Sequence, residues 1–361
     1  MTKPAKERLH FLDMLRGLAA LAVVCTHATE YNSRAGYVLA HNFFNFGKFG
    51  VAVFFLVSGF VIPYTLERQG SVKLFLINRF FRLYPLYWLS LLAFVVLWRL
   101  GIVFQPTDYY AEFAKHFARN LALNATMFQE SLRIPDAIAV YWTLAIELAF
   151  YLSCVVLFRA GLAQRSLAIA WIALTITALA GIALPFLIHH RTPFAGLFSI
   201  TTLYVGTVLF RLYTGKVEKR HVVLLIAATL VVAALGSFMN YRTYTNTDQI
   251  ALPAALFPWI SAYGLFLLAF SQRARSFSAI LIWLGSISYS MYLLHPLVFN
   301  VVQDLLPQSW VIAVGLPATL IVSTLTYRVL EKPCIDWGHA ITRAGAKRRG
   351  DARGNVIESV A

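Results

Sequence analysis

The sequence predicts an all-α fold: a polytopic integral membrane protein with about ten transmembrane helices and both termini in the cytoplasm. Three observations carry this. Of 361 residues, 59% are hydrophobic and only 13% are charged, whereas a soluble domain carries about a quarter charged residues. Ten stretches stay apolar over a window of about 19 residues: 9–29, 47–66, 80–100, 139–158, 167–188, 195–213, 221–239, 250–271, 279–302 and 310–330. With the N-terminus inside, the cytoplasmic segments hold 21 of the 31 Lys and Arg and the outer segments 8, while Arg16 and Arg328 lie within spans. That asymmetry obeys the positive-inside rule. It accounts for most of the net +15 charge, so no nucleic-acid partner is needed; the spans are solvated by membrane lipids.

The first span contains "LDMLRGLAALAVVCTHA". Lys3, Lys6 and Arg8 ahead of an apolar run imitate a leader peptide, but Arg16 and His27 inside the run and nine further spans argue for a retained helix. An ionisable residue within a span is costly and is read by default as facing protein or water. Arg16 and His27 are eleven residues apart, which is about 16 Å along a helix and about 20° past three full turns. They therefore share one face, with the cation on the inner side and a base near the outer end. The alternative is structural: Arg16 pairs with Asp13 or Glu147, and His27 snorkels to the interface. The alignment of the two favours function. Ala20 and Val24, four and eight positions after Arg16, are expected near the same line. Cys25 lies 200° from His27 around the helix, so the two form no nucleophilic pair.

In span two, Ser58-Gly59 permits close helix approach. Arg79 and Arg82 open span three one turn apart at the cytoplasmic mouth, and their guanidinium forks suit phosphate. The connection from span three to span four is about 38 residues long, with Tyr110, Phe113, Phe117 and Leu121 on one helical face. It reads as an interfacial helix across an outer opening or as an amphipathic strut. "NAT" at Asn124 matches a glycosylation acceptor, which matters only in a eukaryotic secretory pathway. Glu147 in span four needs a partner; it either orients His27 or pairs with Arg16. In span nine, His295 precedes Pro296 and either lines an acceptor site or snorkels. Arg328 and Glu331 in "YRVLEKP" read as a clamp closing the bundle. Cys25, Cys154 and Cys334 are too few and scattered for a disulfide framework or zinc, and no metal site is expected. Residues 337–361 are polar, basic and expected to be a disordered cytoplasmic tail beyond a membrane domain of 9–336.

Six stretches in this order, "LRGLAALAVVCTHA", "FFLVSGFVI", "RFFRLYPLYW", "YWTLAIELAFYL", "ISYSMYLLHPL" and "YRVLEKP", resemble acyltransferase family 3, the ten-span enzymes that O-acylate bacterial glycans, lipo-oligosaccharides, Nod-type signals and some antibiotics. The resemblance implies that the span-one Arg16 and His27 are needed for activity, with His27 as the base, and that Arg79 and Arg82 lie near the acyl donor. Many members carry two adjacent Glu where this chain has "IEL" with Glu147 alone. Some also carry an extra soluble hydrolase-like domain, which is not expected here.

The expected activity is O-acyl transfer, with acetyl as the expected group, from cytoplasmic acyl-CoA to a hydroxyl of a carbohydrate or lipid-linked glycan, in the bacterial inner membrane. Acetyl-CoA is a co-substrate, and no permanently bound cofactor is expected. His27 and Glu147 are the catalytic candidates; Arg16, Arg79, Arg82 and His295 are the substrate-binding ones. The unperturbed imidazole pKa of about 6.5 suits a general base. The alternatives are acylation of a small molecule or lipo-oligosaccharide signal, and, from another class, transport of a lipid-linked sugar. No pair of Gly/Pro-broken spans recurs in corresponding halves of the chain, which counts against transport.

Overall fold

A computed structural model describes residues 9–30, 32–102, 107–243 and 250–348. Its α-helices are α1 (His10–Glu30), α2 (Arg34–Asn42), α3 (Phe46–Gln69), α4 (Val72–Arg99), α5 (Thr107–Lys115), α6 (Phe117–Asn124), α7 (Tyr141–Arg159) and α8 (Ser166–Ala178), then α9 (Leu184–Ile188), α10 (Phe194–Tyr213), α11 (Lys219–Phe238), α12 (Leu252–Ser271), α13 (Ala279–Ser286), α14 (Ser288–Leu305), α15 (Gln308–Thr326) and α16 (Lys332–Arg348). Among the described residues nine helical segments are long and apolar enough to cross a membrane, and ten if α13 and α14 form one span bent by 66°. These are the ten spans expected from hydropathy. Two differ in extent: the third span, α4, begins at Val72, and the last runs on to Arg343.

α1, α3 and α10 are the most enclosed spans among the described residues and form the middle of the bundle. α1 packs against α3, α13, α14 and α15, and α3 against α1, α10, α12 and α7. Small residues permit these approaches, because packing rather than hydrophobicity drives helices together in lipid. At the α3–α10 crossing a Cβ on Gly59 would stand 2.0 Å from the carbonyl oxygen of Leu203, and one on Gly206 would stand 2.4 Å from that of Leu56. Thr207 Oγ1 donates to the Gly59 carbonyl across the same contact at 3.0 Å. Gly59 thus has the packing role expected of it; Ser58 does not. Two turns further along α3, Glu67 pairs with Arg211 of the same α10, which also donates to Ser166 Oγ at 2.9 Å and to the Ala163 carbonyl at 2.6 Å. Arg211 is therefore a buried tie between α3, α10 and the start of α8.

The long connection between α4 and α7 is a strut. Tyr110 and Phe113 are buried against Phe94 and Trp98 at the end of α4, and the helical face breaks at His116 into α5 and α6. Asn124 is fully buried; its amide donates to the carbonyls of Asn120 and Pro135, and its oxygen accepts from Ala137 N–H. An amide committed in this way is no glycosylation acceptor, which corrects the motif. Burial pushes the carboxyl of Asp136 in the same connection up to about 7, against a hydrogen bond from Gln129.

The expected disordered tail is corrected over its first part. Residues 337–348 are helical within α16, which packs on α4, while 349–361 lie outside the described residues. Of the expected clamp pair, Glu331 is 2% exposed and accepts a hydrogen bond from Ser290 of α14 at 2.5 Å, whereas Arg328 is exposed.

Candidate active site

Two chambers open along one side of α1. The first, about 100 Å³, lies between α1, α3, α4, α7 and α14. Its polar wall is made of Asp13 and Arg16 from α1, Ser58 from α3, Arg79 and Arg82 from α4, and Glu147 and Tyr151 from α7. Three guanidinium groups thus face two carboxylates. The second, about 360 Å³, is lined by Thr26, His27 and Glu30 of α1, Asn45 and Lys48 at the start of α3, and Trp142, Phe198, Ser199 and Trp259 from three further helices.

Val51 and Tyr292 belong to both walls. Tyr292 is 6% exposed, its ring packs on Phe54 at 5.5 Å, and its hydroxyl lies 2.7 Å from Thr143 Oγ1 and donates to the Val140 carbonyl at 3.3 Å. Thr143 lines the first chamber and Val140 the second. Tyr292, held from both sides, is the partition between them.

The structure sorts the sequence candidates into these chambers. Arg16, Arg79, Arg82 and Glu147 share the first. Arg79 is buried, donates to Thr65 Oγ1 at 3.1 Å and lies over the rings of Phe75 and Tyr151 at 5.4 and 5.8 Å. Its Nε is buried with no hydrogen-bond partner among the described residues. An unmet guanidinium donor is costly inside a protein. Glu147 Oε1 accepts from both Ser58 Oγ and Tyr151 OH at 2.6 Å. These bonds hold it in the arginine chamber, so Glu147 does not orient His27.

His27 stands in the second chamber, and its ring partner is His295, whose Nε2 lies 3.0 Å from His27 Nδ1. His295 is fully buried and lines neither chamber, which corrects its expected place as a wall of the acceptor site. It neither snorkels nor contacts the cavity; it stands behind His27.

Arg16 and His27 share one side of α1, as expected, but the residues expected between them do not. Ala20 and Val24 are buried against Leu284, Ile287 and Met291 of the α13–α14 segment. Steps of four and eight residues rotate about 40° and 80° from Arg16. A step of seven falls about 20° short of two turns, and that residue, Val23, does line the second chamber. Sequence reasoning also missed Tyr151, Tyr292 and Lys48. A tyrosine hydroxyl and an interfacial lysine are ordinary in a membrane helix, and only the packing of distant segments singles these out.

A family model for the acyltransferase domain matches residues 9–328. Over 92% of its length the chain is 24% identical to the peptidoglycan O-acetyltransferase OatA of Listeria monocytogenes, spanning 56% of that protein. It is 26% identical to the acyltransferase MdmB of Streptomyces mycarofaciens, over 92% of this chain and 93% of MdmB. It is likewise 26% identical to nodulation protein 10 of Rhizobium leguminosarum, over 90% of this chain and 92% of that one. The chain thus spans little more than half of the peptidoglycan enzyme and nearly all of the other two. No solved structure matches it.

Proposed function

Because this chain belongs to the acyltransferase domain family and is a membrane acyltransferase, we propose that it moves an acetyl group from cytoplasmic acetyl-CoA to a hydroxyl of a glycan on the outer face of a bacterial inner membrane. The observation that carries this reading is the pair of chambers meeting at Tyr292, with arginines in one and His27 in the other.

In this reading the arginine chamber faces the cytoplasm. Arg79 and Arg82 hold CoA phosphates with bidentate geometry, and Arg16 continues the positive wall inward. Glu147, fixed by Ser58 and Tyr151, balances the arginines and keeps their side chains apart. The thin pantetheine arm carries the thioester to the partition. In the second chamber, Trp142, Trp259 and Phe198 beside Asn45, Ser199 and Glu30 offer flat apolar faces with hydrogen-bonding groups, the pairing of surfaces that a sugar presents.

The chemistry needs one base. His27 takes the proton of an acceptor hydroxyl as that oxygen bonds to the thioester carbonyl carbon. The tetrahedral intermediate collapses with cleavage of the C–S bond. The proton on His27 then passes to the leaving sulfur, so that ester and free CoA thiol are the products. No acyl-enzyme is required.

The test uses purified protein in right-side-out proteoliposomes with labelled acetyl-CoA sealed inside. Soluble peptidoglycan fragments or a chito-oligosaccharide are supplied only outside. Label should appear on the external carbohydrate, and His27→Ala should abolish it while the protein remains inserted. Transfer only when both substrates share the lumenal compartment would overturn the sidedness; undiminished transfer by His27→Ala would overturn the base.

A further inference from the structure

His295 is a buried titratable side chain in contact with the proposed base, and the proposed mechanism gives it no task. Its Nδ1 lies 3.1 Å from the carbonyl oxygen of Met291, one turn back in α14. Its Nε2 lies 3.0 Å from His27 Nδ1, with the ring centroids 4.9 Å apart and the planes at 49°. These two contacts fix where the hydrogens are. A carbonyl oxygen only accepts, so His295 Nδ1 carries the N–H. A neutral imidazole has one N–H, so Nε2 of neutral His295 can only accept. The hydrogen between the rings therefore belongs to His27 Nδ1, and the lone pair of neutral His27 is on Nε2.

We infer that His295 is a positioning residue that holds His27 as the Nδ1–H tautomer and thereby makes His27 Nε2 the proton-accepting atom. The assignment rests on His27 being the base, and it adds which nitrogen acts and what selects it. The logic is that of a catalytic histidine oriented through its second nitrogen, here with a neutral imidazole in place of a carboxylate. When Nε2 takes the acceptor's proton, the Nδ1–H bond to His295 persists and strengthens, because its donor is now cationic. The contact is anchored in the backbone, through Met291, on the helix that also carries the Tyr292 partition. Tyr292 and His295 are three residues apart and lie on adjoining turns. One helix thus sets both the division between the chambers and the direction of the base.

The test has a spectroscopic and a kinetic arm, both on the full-length protein in lipid nanodiscs. With 15N-labelled histidine, the resonances of His27 are identified by their loss in His27→Ala. A protonated Nδ1 and a bare Nε2 are expected in the wild type at pH 8; a bare Nδ1 overturns the inference whatever the activity. In the kinetic arm, thiol release from acetyl-CoA is followed with peptidoglycan fragments as the acceptor. His295→Leu removes the acceptor atom, and kcat should fall at least about tenfold, within the range that a general base contributes, with the KM for acetyl-CoA unchanged. His295→Gln can place a carbonyl oxygen near the Nε2 position and should recover most of that loss. A wild-type kcat in His295→Leu with His27→Ala inactive would remove the positioning role and leave the base intact. Full activity in His27→Ala would instead remove the reading beneath it. Should the Leu variant fail to fold, the wild-type spectrum and the Gln variant still decide.

Discussion

Arg79 has surroundings unlike those of an ordinary loop arginine. It is buried, bonded to Thr65 through one terminal nitrogen and laid against two aromatic rings, with Nε unmet by protein. Lysine would keep the charge and lose the planar fork. Arg79→Lys is therefore expected to raise the KM for acetyl-CoA about tenfold, as loss of one charge-assisted hydrogen bond predicts, with kcat changed far less. Donor titration of the purified variant measures this, and unchanged donor kinetics would return Arg79 to a purely structural role. At this scale the sequence was readable where a residue was unusual for its setting. Arg16, His27 and Glu147 stood out as ionisable groups within spans. Tyr292 and the role of His295 did not, because their meaning lies in contacts with Thr143 and His27, 149 and 268 positions away.

Elements were easier to read than their faces. Hydropathy located nine long apolar helices and, as its ninth span, the bent α13–α14 pair, since length and composition alone decide whether a helix can cross a bilayer. Which residues of α1 point at a cavity is a matter of tens of degrees, and counting in fours from Arg16 drifts off the face within two turns. The line runs through Val23, which is 2% exposed, lines the second chamber and precedes His27 by four residues. Val23→Phe is expected to fill space beside His27 and lower kcat about tenfold, with the KM for acetyl-CoA unchanged, because near-attack geometry tolerates little displacement. Ala20→Phe is expected to act differently: overpacking against α13 and α14 should destabilise the fold by about 1–3 kcal/mol. Steady-state kinetics and thermal unfolding on both variants separate the two effects. The bend at Ile287 between α13 and α14 was missed for a related reason. "LGSIS" has no proline, and its Gly285-Ser286 pair is a weaker kink signal within a stretch whose hydropathy reads as one continuous helix.

For the whole molecule, charge counting proposes an orientation of the chain but cannot tell a loop arginine from a buried one. Arg211 counted toward the basic side, yet it is 1% exposed and carries a hydrogen-bonded network to Glu67, Ser166 and Ala163. Removing one partner of such a pair leaves the other charge uncompensated. Arg211→Ala is expected to destabilise the detergent-solubilised protein by about 3 kcal/mol, and Glu67→Leu with Arg211→Met by much less, since apolar replacement of both partners is often near neutral. Melting curves of the two variants check this. A double variant as unstable as the single one would mean that the helices need the ion pair itself.

The Tyr292 partition bears on the electrical integrity of the membrane. A bore wet along its whole length beside α1 would let protons and ions run down the potential that every energised membrane must hold. Val51, Phe54 and the tethered Tyr292 ring fill the waist between the chambers with apolar surface, and an apolar constriction stays dry to hydrated ions. An acetyl group on a slender thioester arm needs neither water nor a counter-ion to reach that waist. In the proposed reaction the cell can therefore export acyl groups without a carrier cycle and without an ion leak.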